Sequence, residues 1–118
     1  MESATRYEAR KYIAVVHKLL AEAAYARDDF AEAEKQLGTA LDRLAGFPTP
    51  IVTWMIYSML GRVRLQLGDS SAAEAFEEAS AIVQLIAANV EEETLRTSFL
   101  AAPAVQEVIA RGSARDSG

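Results

Sequence analysis

Apolar residues recur at three- and four-residue steps along almost the whole chain, the period of helices that each bury one face. In residues 6–27 the recurring positions are Tyr12, Val15/Val16, Leu19/Leu20 and Ala23/Ala24, with no Gly or Pro to interrupt them. Asp28-Asp29 breaks the pattern. Asp29 with Glu32 three residues on makes a capping-box-like start for a second helix. Its stripe is Phe30, Ala33, Leu37, Ala40/Leu41 and Leu44, ending near Gly46. Gly46-Phe47-Pro48-Thr49-Pro50 reads as a loop. Thr49 is placed to cap a third helix, with Pro50 at its first position, where a missing N–H costs nothing. Ile51, Trp54, Tyr57, Leu60/Gly61 and Arg64/Leu65 fall near one face of that helix. Gly68 supplies its C-terminal turn and Asp69 the cap of a fourth. The fourth carries Ala72, Phe76, Ala79, Val83 and Ile86 and fades near Asn89. Glu91-Glu92-Glu93 suits the positive end of a fifth helix dipole, with Leu95, Phe99 and Leu100 as the apolar face. Pro103 breaks that helix, and Ala104–Ala110 forms a last short one with Val105, Val108 and Ile109 inward. Gly112–Gly118 is polar and is expected to be a disordered tail. No stretch alternates in the manner of a strand.

The predicted fold is all-α: two stacked antiparallel helix-turn-helix hairpins, about 6–46 and about 50–89, closed by a capping helix over about 91–111. One domain of residues 1–111 and a tail of 112–118 account for the 118 residues. Twenty-three alanines against six Gly and three Pro favour helix throughout. The two hairpins also resemble each other. Leu20 to Leu60 and Asp29 to Asp69 are both 40 residues apart, and Ala33/Leu37/Ala40 is echoed by Ala72/Phe76/Ala79. Small residues in such a trio let two helices approach closely, and the large one fills the space between pairs.

On these residues the chain resembles the tetratricopeptide repeat family. The second copy carries the pattern through Tyr57, Leu60, Gly61, Gly68, Asp69, Ala72, Phe76 and Ala79. The first carries it through Leu20, Ala21, Asp29, Phe30, Ala33, Leu37 and Ala40. His17 stands where that family usually has an aromatic residue, and Ala24 and Arg64 where it usually has Tyr. The 40-residue spacing exceeds the usual repeat of about 34, and the loop around Phe47–Pro50 accounts for much of the difference. The ending, Ile86-Ala87-Ala88 through Leu95, Phe99-Leu100 and Pro103, resembles the C-terminal close of repeat regions in large bacterial regulators.

The resemblance implies a concave groove lined by the first helix of each hairpin, taking a partner peptide or helix. Carried over by position, its lining is Val15, Lys18, Leu19, Glu22, Tyr25, Met55, Ser58, Met59, Arg62 and Leu65. Met adapts to irregular partner surfaces, and Tyr and Arg are favoured interface anchors. The family's specialised carboxylate clamp is not expected, because Glu22 stands at the position of its Asn and would repel a carboxylate. The function implied is a non-catalytic protein–protein interaction module, an adaptor, scaffold or regulatory segment. The alternative is a homo-oligomerisation module, a homodimer whose apolar inner face is buried by a second copy.

Charge and chemistry narrow the field without changing that reading. Twelve Lys+Arg against seventeen Asp+Glu give a net charge of −5, the wrong sign for a nucleic-acid binder. The sign alternates by segment: residues 1–27 sum to +2, 28–50 to −3 and 51–68 to +2, while 69–95 hold seven acids and no base. Acidic second helices are thereby expected to form the solvated outer face. No cysteine and a single histidine exclude thiolate sites and a multi-histidine metal site within one chain. His17 has no nucleophile or orienting acid beside it on its own helix. Glu91-Glu92-Glu93 point about 100° apart on a helix and cannot converge on one ion. No catalytic residue, metal site or cofactor is expected. Without a membrane-length apolar run or a secretory leader pattern, a cytoplasmic protein with no membrane partner is the expectation.

Overall fold

The computed structural model describes the backbone over residues 2–46 and 49–117, and side chains over 9–46 and 49–112. Phe47 and Pro48, read from the sequence as the centre of a loop, lie outside the described residues, as does Gly118. Among the described residues there are six helices and no strand: α1 (Glu2–Ala26), α2 (Phe30–Leu44), α3 (Pro50–Leu67), α4 (Ala72–Ala88), α5 (Glu93–Ala101) and α6 (Pro103–Ser117). α1 packs along α2, α2 against α3, α3 along α4, and α4 against α6, while α1 and α3 meet over a narrower strip.

The local chemistry sets the helix ends. Asp28 and Gly68, 40 residues apart, both take the left-handed conformation, at φ 62° and 71°. Both turns close in the same way. The N–H of Asp29 reaches Ala24 O at 2.8 Å and that of Asp28 reaches Tyr25 O at 3.0 Å. The N–H of Asp69 reaches Arg64 O at 2.9 Å and that of Gly68 reaches Leu65 O at 3.1 Å. This is the Schellman ending, and it closes both helices at positions 40 residues apart. Asp pays a conformational cost at such a position that Gly does not, though its short polar side chain tolerates it better than most. The following helices then diverge. Asp29 caps α2 directly, its Oδ1 accepting from Glu32 N at 3.3 Å. Asp69 does not cap α4. It accepts from the N–H and hydroxyl of Ser71, and Ser71 is the N-cap residue. Thr49 caps α3 without a side-chain bond to the backbone, its hydroxyl lying 3.2 Å from that of Thr53.

Both small-large-small trios are buried, Ala33/Leu37/Ala40 on α2 and Ala72/Phe76/Ala79 on α4. Gly61 of α3 lies directly against the Phe76 ring. α6 closes the far side, with Val105 and Val108 buried beside Val83 and Trp54. Its backbone runs past Gly112 to Ser117, where the sequence led us to expect a disordered tail from 112. Gly112 is buried, and a Cβ there would lie 2.8 Å from Ser80 Cβ, so its lack of a side chain lets α6 reach α4. α5 buries none of its residues fully. Phe99 and Leu100 are half-buried, but Leu95 points outward rather than into the apolar face assigned to it. Arg96 donates from its guanidinium to Ala87 O and Val90 O, closing the C-terminus of α4, whose own last turn holds no base.

α1 departs most from its sequence pattern. Ala14, Ala21 and Ala24 face α2, while Tyr12, Val16, Leu19 and Leu20 face away from the core. Two apolar stripes occupy this helix, and the smaller residues win the interior because they allow the closer approach.

Candidate functional site

α1, α3 and α6 border an open cavity of about 180 Å³. α1 contributes Lys18 and Glu22, α3 contributes Trp54, Met55, Ser58, Met59 and Arg62, and α6 contributes Ala104. Trp54, Ser58 and Arg62 lie at four-residue steps, so one line of α3 runs along the cavity. Trp54 forms the floor and is itself braced by Phe99, edge to face at 6.4 Å between ring centroids.

Six of the ten residues assigned to the groove by position thus meet around one space. The other four do not. Tyr25 packs against the core and meets Phe30 edge to face at 5.2 Å. Leu19 turns to the outer side of α1, Leu65 is exposed away from the cavity, and Val15 is half-buried beside it without lining it. Trp54 and Ala104 were missed from the sequence. The four-residue line through Ser58 and Arg62 points to Trp54. Nothing local points to Ala104, which arrives through the long-range docking of α6.

The cavity's charges are paired on both sides. Lys18 Nζ lies 2.6 Å from Glu22 Oε2, one turn along α1. Arg62 Nη2 donates to Glu107 Oε1 at 2.5 Å and its Nε to the same oxygen at 3.1 Å, tying α3 to α6. Arg111 Nε reaches Glu107 Oε2 at 3.2 Å. The hydrogen bond from Arg62 holds the Glu107 carboxyl below its ordinary value of 4.5. Partial burial opposes the shift, and the charge of Arg62 and the contact with Arg111 reinforce it. A carboxyl depressed in the folded state contributes stability above its unfolded pKa and loses it as pH falls through the lower folded value. Urea midpoints are therefore expected to fall as pH is lowered below about 4.5. Glu107→Gln is expected to remove part of that slope, and equal slopes in both proteins would contradict it.

His17 belongs to a structural relay. Gln36 Nε2 donates to Glu32 Oε2 at 2.6 Å, which leaves Gln36 Oε1 to accept from His17 Nδ1 at 2.6 Å. The relay pins α1 to α2 and holds no nucleophile. On the outer side Tyr57, Arg64, Glu74, Ala75, Glu77 and Glu78 border a larger open hollow of about 460 Å³ with a mainly polar lining, where Arg64 Nε lies 3.2 Å from Glu34 Oε2 of α2. Among the described residues no group of three or more His, Asp or Glu is placed to hold a metal ion. No described helix is long and apolar enough to cross a membrane. A space of about 180 Å³ is smaller than the roughly 300–1,000 Å³ of small-molecule sites, and suits one apolar side chain.

No protein-family model, curated protein or solved structure matches the chain.

Proposed function

We propose that the chain is a non-catalytic protein–protein interaction module built on two tetratricopeptide-like hairpins. It seats an apolar side chain of a partner helix or extended peptide between α1 and α3. We place it in the cytoplasm, as an adaptor or the regulatory segment of a larger protein, with neither nucleic acid nor membrane as partner. The observation that carries this reading is the cavity itself: an apolar lining of Trp54, Met55, Met59 and Ala104 between two ion pairs, Lys18–Glu22 and Arg62–Glu107. Support for the repeat comes from the matched turns at Asp28 and Gly68 and from the two buried trios. An apolar pocket with a charged rim is the usual form of an interface anchor site.

The test is selection of short peptides from a display library on the full chain, followed by NMR of the methionine methyls. Met55 and Met59 lie in the cavity wall, and Met1 is the remaining methionine. Selected peptides are expected to shift both wall signals. Met55→Glu is expected to weaken them at least about tenfold with helicity unchanged, because Met55 is exposed. Peptides that leave both signals unmoved, or bind Met55→Glu equally well, would overturn the proposal.

A further inference from the structure

The outer side of α1 carries a second, independent surface. Ala9, Tyr12, Val16, Leu19, Ala23 and Ala26 are spaced alternately by three and four residues, the heptad pattern of a coiled-coil seam, and every one of them is exposed. Tyr12, Val16 and Leu19 are 62%, 52% and 55% exposed. Ile13 and Leu20 widen the stripe on one flank and are exposed as well. The seam runs about 27 Å along the helix, with no charged side chain on its six positions. It exposes apolar surface on the order of 500 Å² per chain, at the upper end of what monomeric proteins leave uncovered. It lies opposite the alanines packed in the core with α2, and among the described residues its six positions are exposed.

The geometry points to a second copy of this chain as its occupant, in an antiparallel two-fold pairing of α1 with α1. Two arguments fix the occupant and the direction. Run antiparallel, the seam complements itself in volume: Val16 meets Leu19 of the second copy, Tyr12 meets Ala23, and Ala9 meets Ala26. The four inner layers then have a similar bulk, as close packing requires, and the small Ala9–Ala26 layers fall at the two ends. Run parallel, Tyr12 would meet Tyr12 and Ala23 would meet Ala23, leaving a wide layer toward one end of the seam and a hollow one toward the other. The flanks agree. An antiparallel pair sets each flank against itself, so Ile13 meets Leu20, whereas a parallel pair sets Leu20 against the flank that carries Val15 and Glu22. The surface buried, on the order of 1,000 Å² from both chains, is where specific interfaces begin, so the dimer is expected to dissociate in the micromolar range.

The experiment is sedimentation velocity of the full chain across concentrations from micromolar to hundreds of micromolar. The mass is expected to rise from 12.8 kDa toward twice that value. Val16→Glu is expected to weaken the dimer at least about tenfold while its helicity and melting at low concentration match the parent. Leu19→Ser serves as a second variant with a smaller perturbation. The direction is read by crosslinking, since the chain has no cysteine of its own. Tyr12→Cys mixed with Ala23→Cys is expected to give a disulfide between the two variants, and neither variant alone to crosslink. A chain that stays at 12.8 kDa throughout would overturn the inference. So would a dimer indifferent to Val16→Glu and Leu19→Ser, or a Tyr12→Cys chain that crosslinks to itself.

Discussion

Gly61→Leu is expected to lower the unfolding free energy by more than about 4 kcal/mol. A Cβ at this position would already lie 2.7 Å from two atoms of the Phe76 ring and 2.8 Å from a third. The ring has little room to retreat. Phe76 is 2% exposed, Arg111 sits 5.4 Å over its face, and Gly112 of α6 closes against the same turn of α4. Gly61→Ala isolates the contact itself. Overpacking costs about 1–3 kcal/mol, of which about 1 kcal/mol returns as helix propensity. Leu adds three further carbon atoms with no space for them. Urea unfolding of the two variants measures both terms, and a change within about half a kcal/mol for Gly61→Leu would contradict the close approach of α3 and α4.

Phe76→Ala is the complementary loss. Removing the ring is expected to cost about 3–5 kcal/mol, through lost burial and the cavity left between α3, α4 and α6. The pair should then be strongly coupled. With the ring gone, the methyl of Gly61→Ala enters the vacated space, so the double variant is expected to be more stable than the two single losses predict, by about 1 kcal/mol or more. A four-member cycle of urea titrations reads this directly. Additivity within about 0.3 kcal/mol would mean that the two positions do not share one space.

The helices and their turns were legible because local residues determine them. Asp29, Pro50 and Gly68 act within a turn of where they sit, and the chain shows each at the start or end of a helix. The trios around Leu37 and Phe76 were legible because spacing alone places three residues on one face. α1 was not. Its pattern holds two apolar stripes, and hydrophobicity favours burying Tyr12, Val16 and Leu19, whereas the distance between α1 and α2 selects Ala14, Ala21 and Ala24. Leu19 therefore left the groove to which its position had assigned it. Asp69 resembled a cap, but the choice between capping and a turn with Ser71 depends on one or two residues of register, the least determined quantity in a sequence. Ala104 and Glu107 reach the site through the docking of α6 on α4, which no local pattern encodes.

The order in which the helices pack has a kinetic meaning. Each main interface joins helices that are neighbours, or nearly so, along the chain: α1 with α2, α2 with α3, α3 with α4, α4 with α6. Little loop entropy is lost before a contact forms, which places the protein among low-contact-order folders that reach the native state in microseconds to milliseconds. The same order makes stability graded from end to end. α3 is held by helices on both sides, whereas α1 rests mainly on α2 and α6 mainly on α4. The terminal helices are thus the parts that open first, and each carries one wall of the groove that α3 lines from the centre.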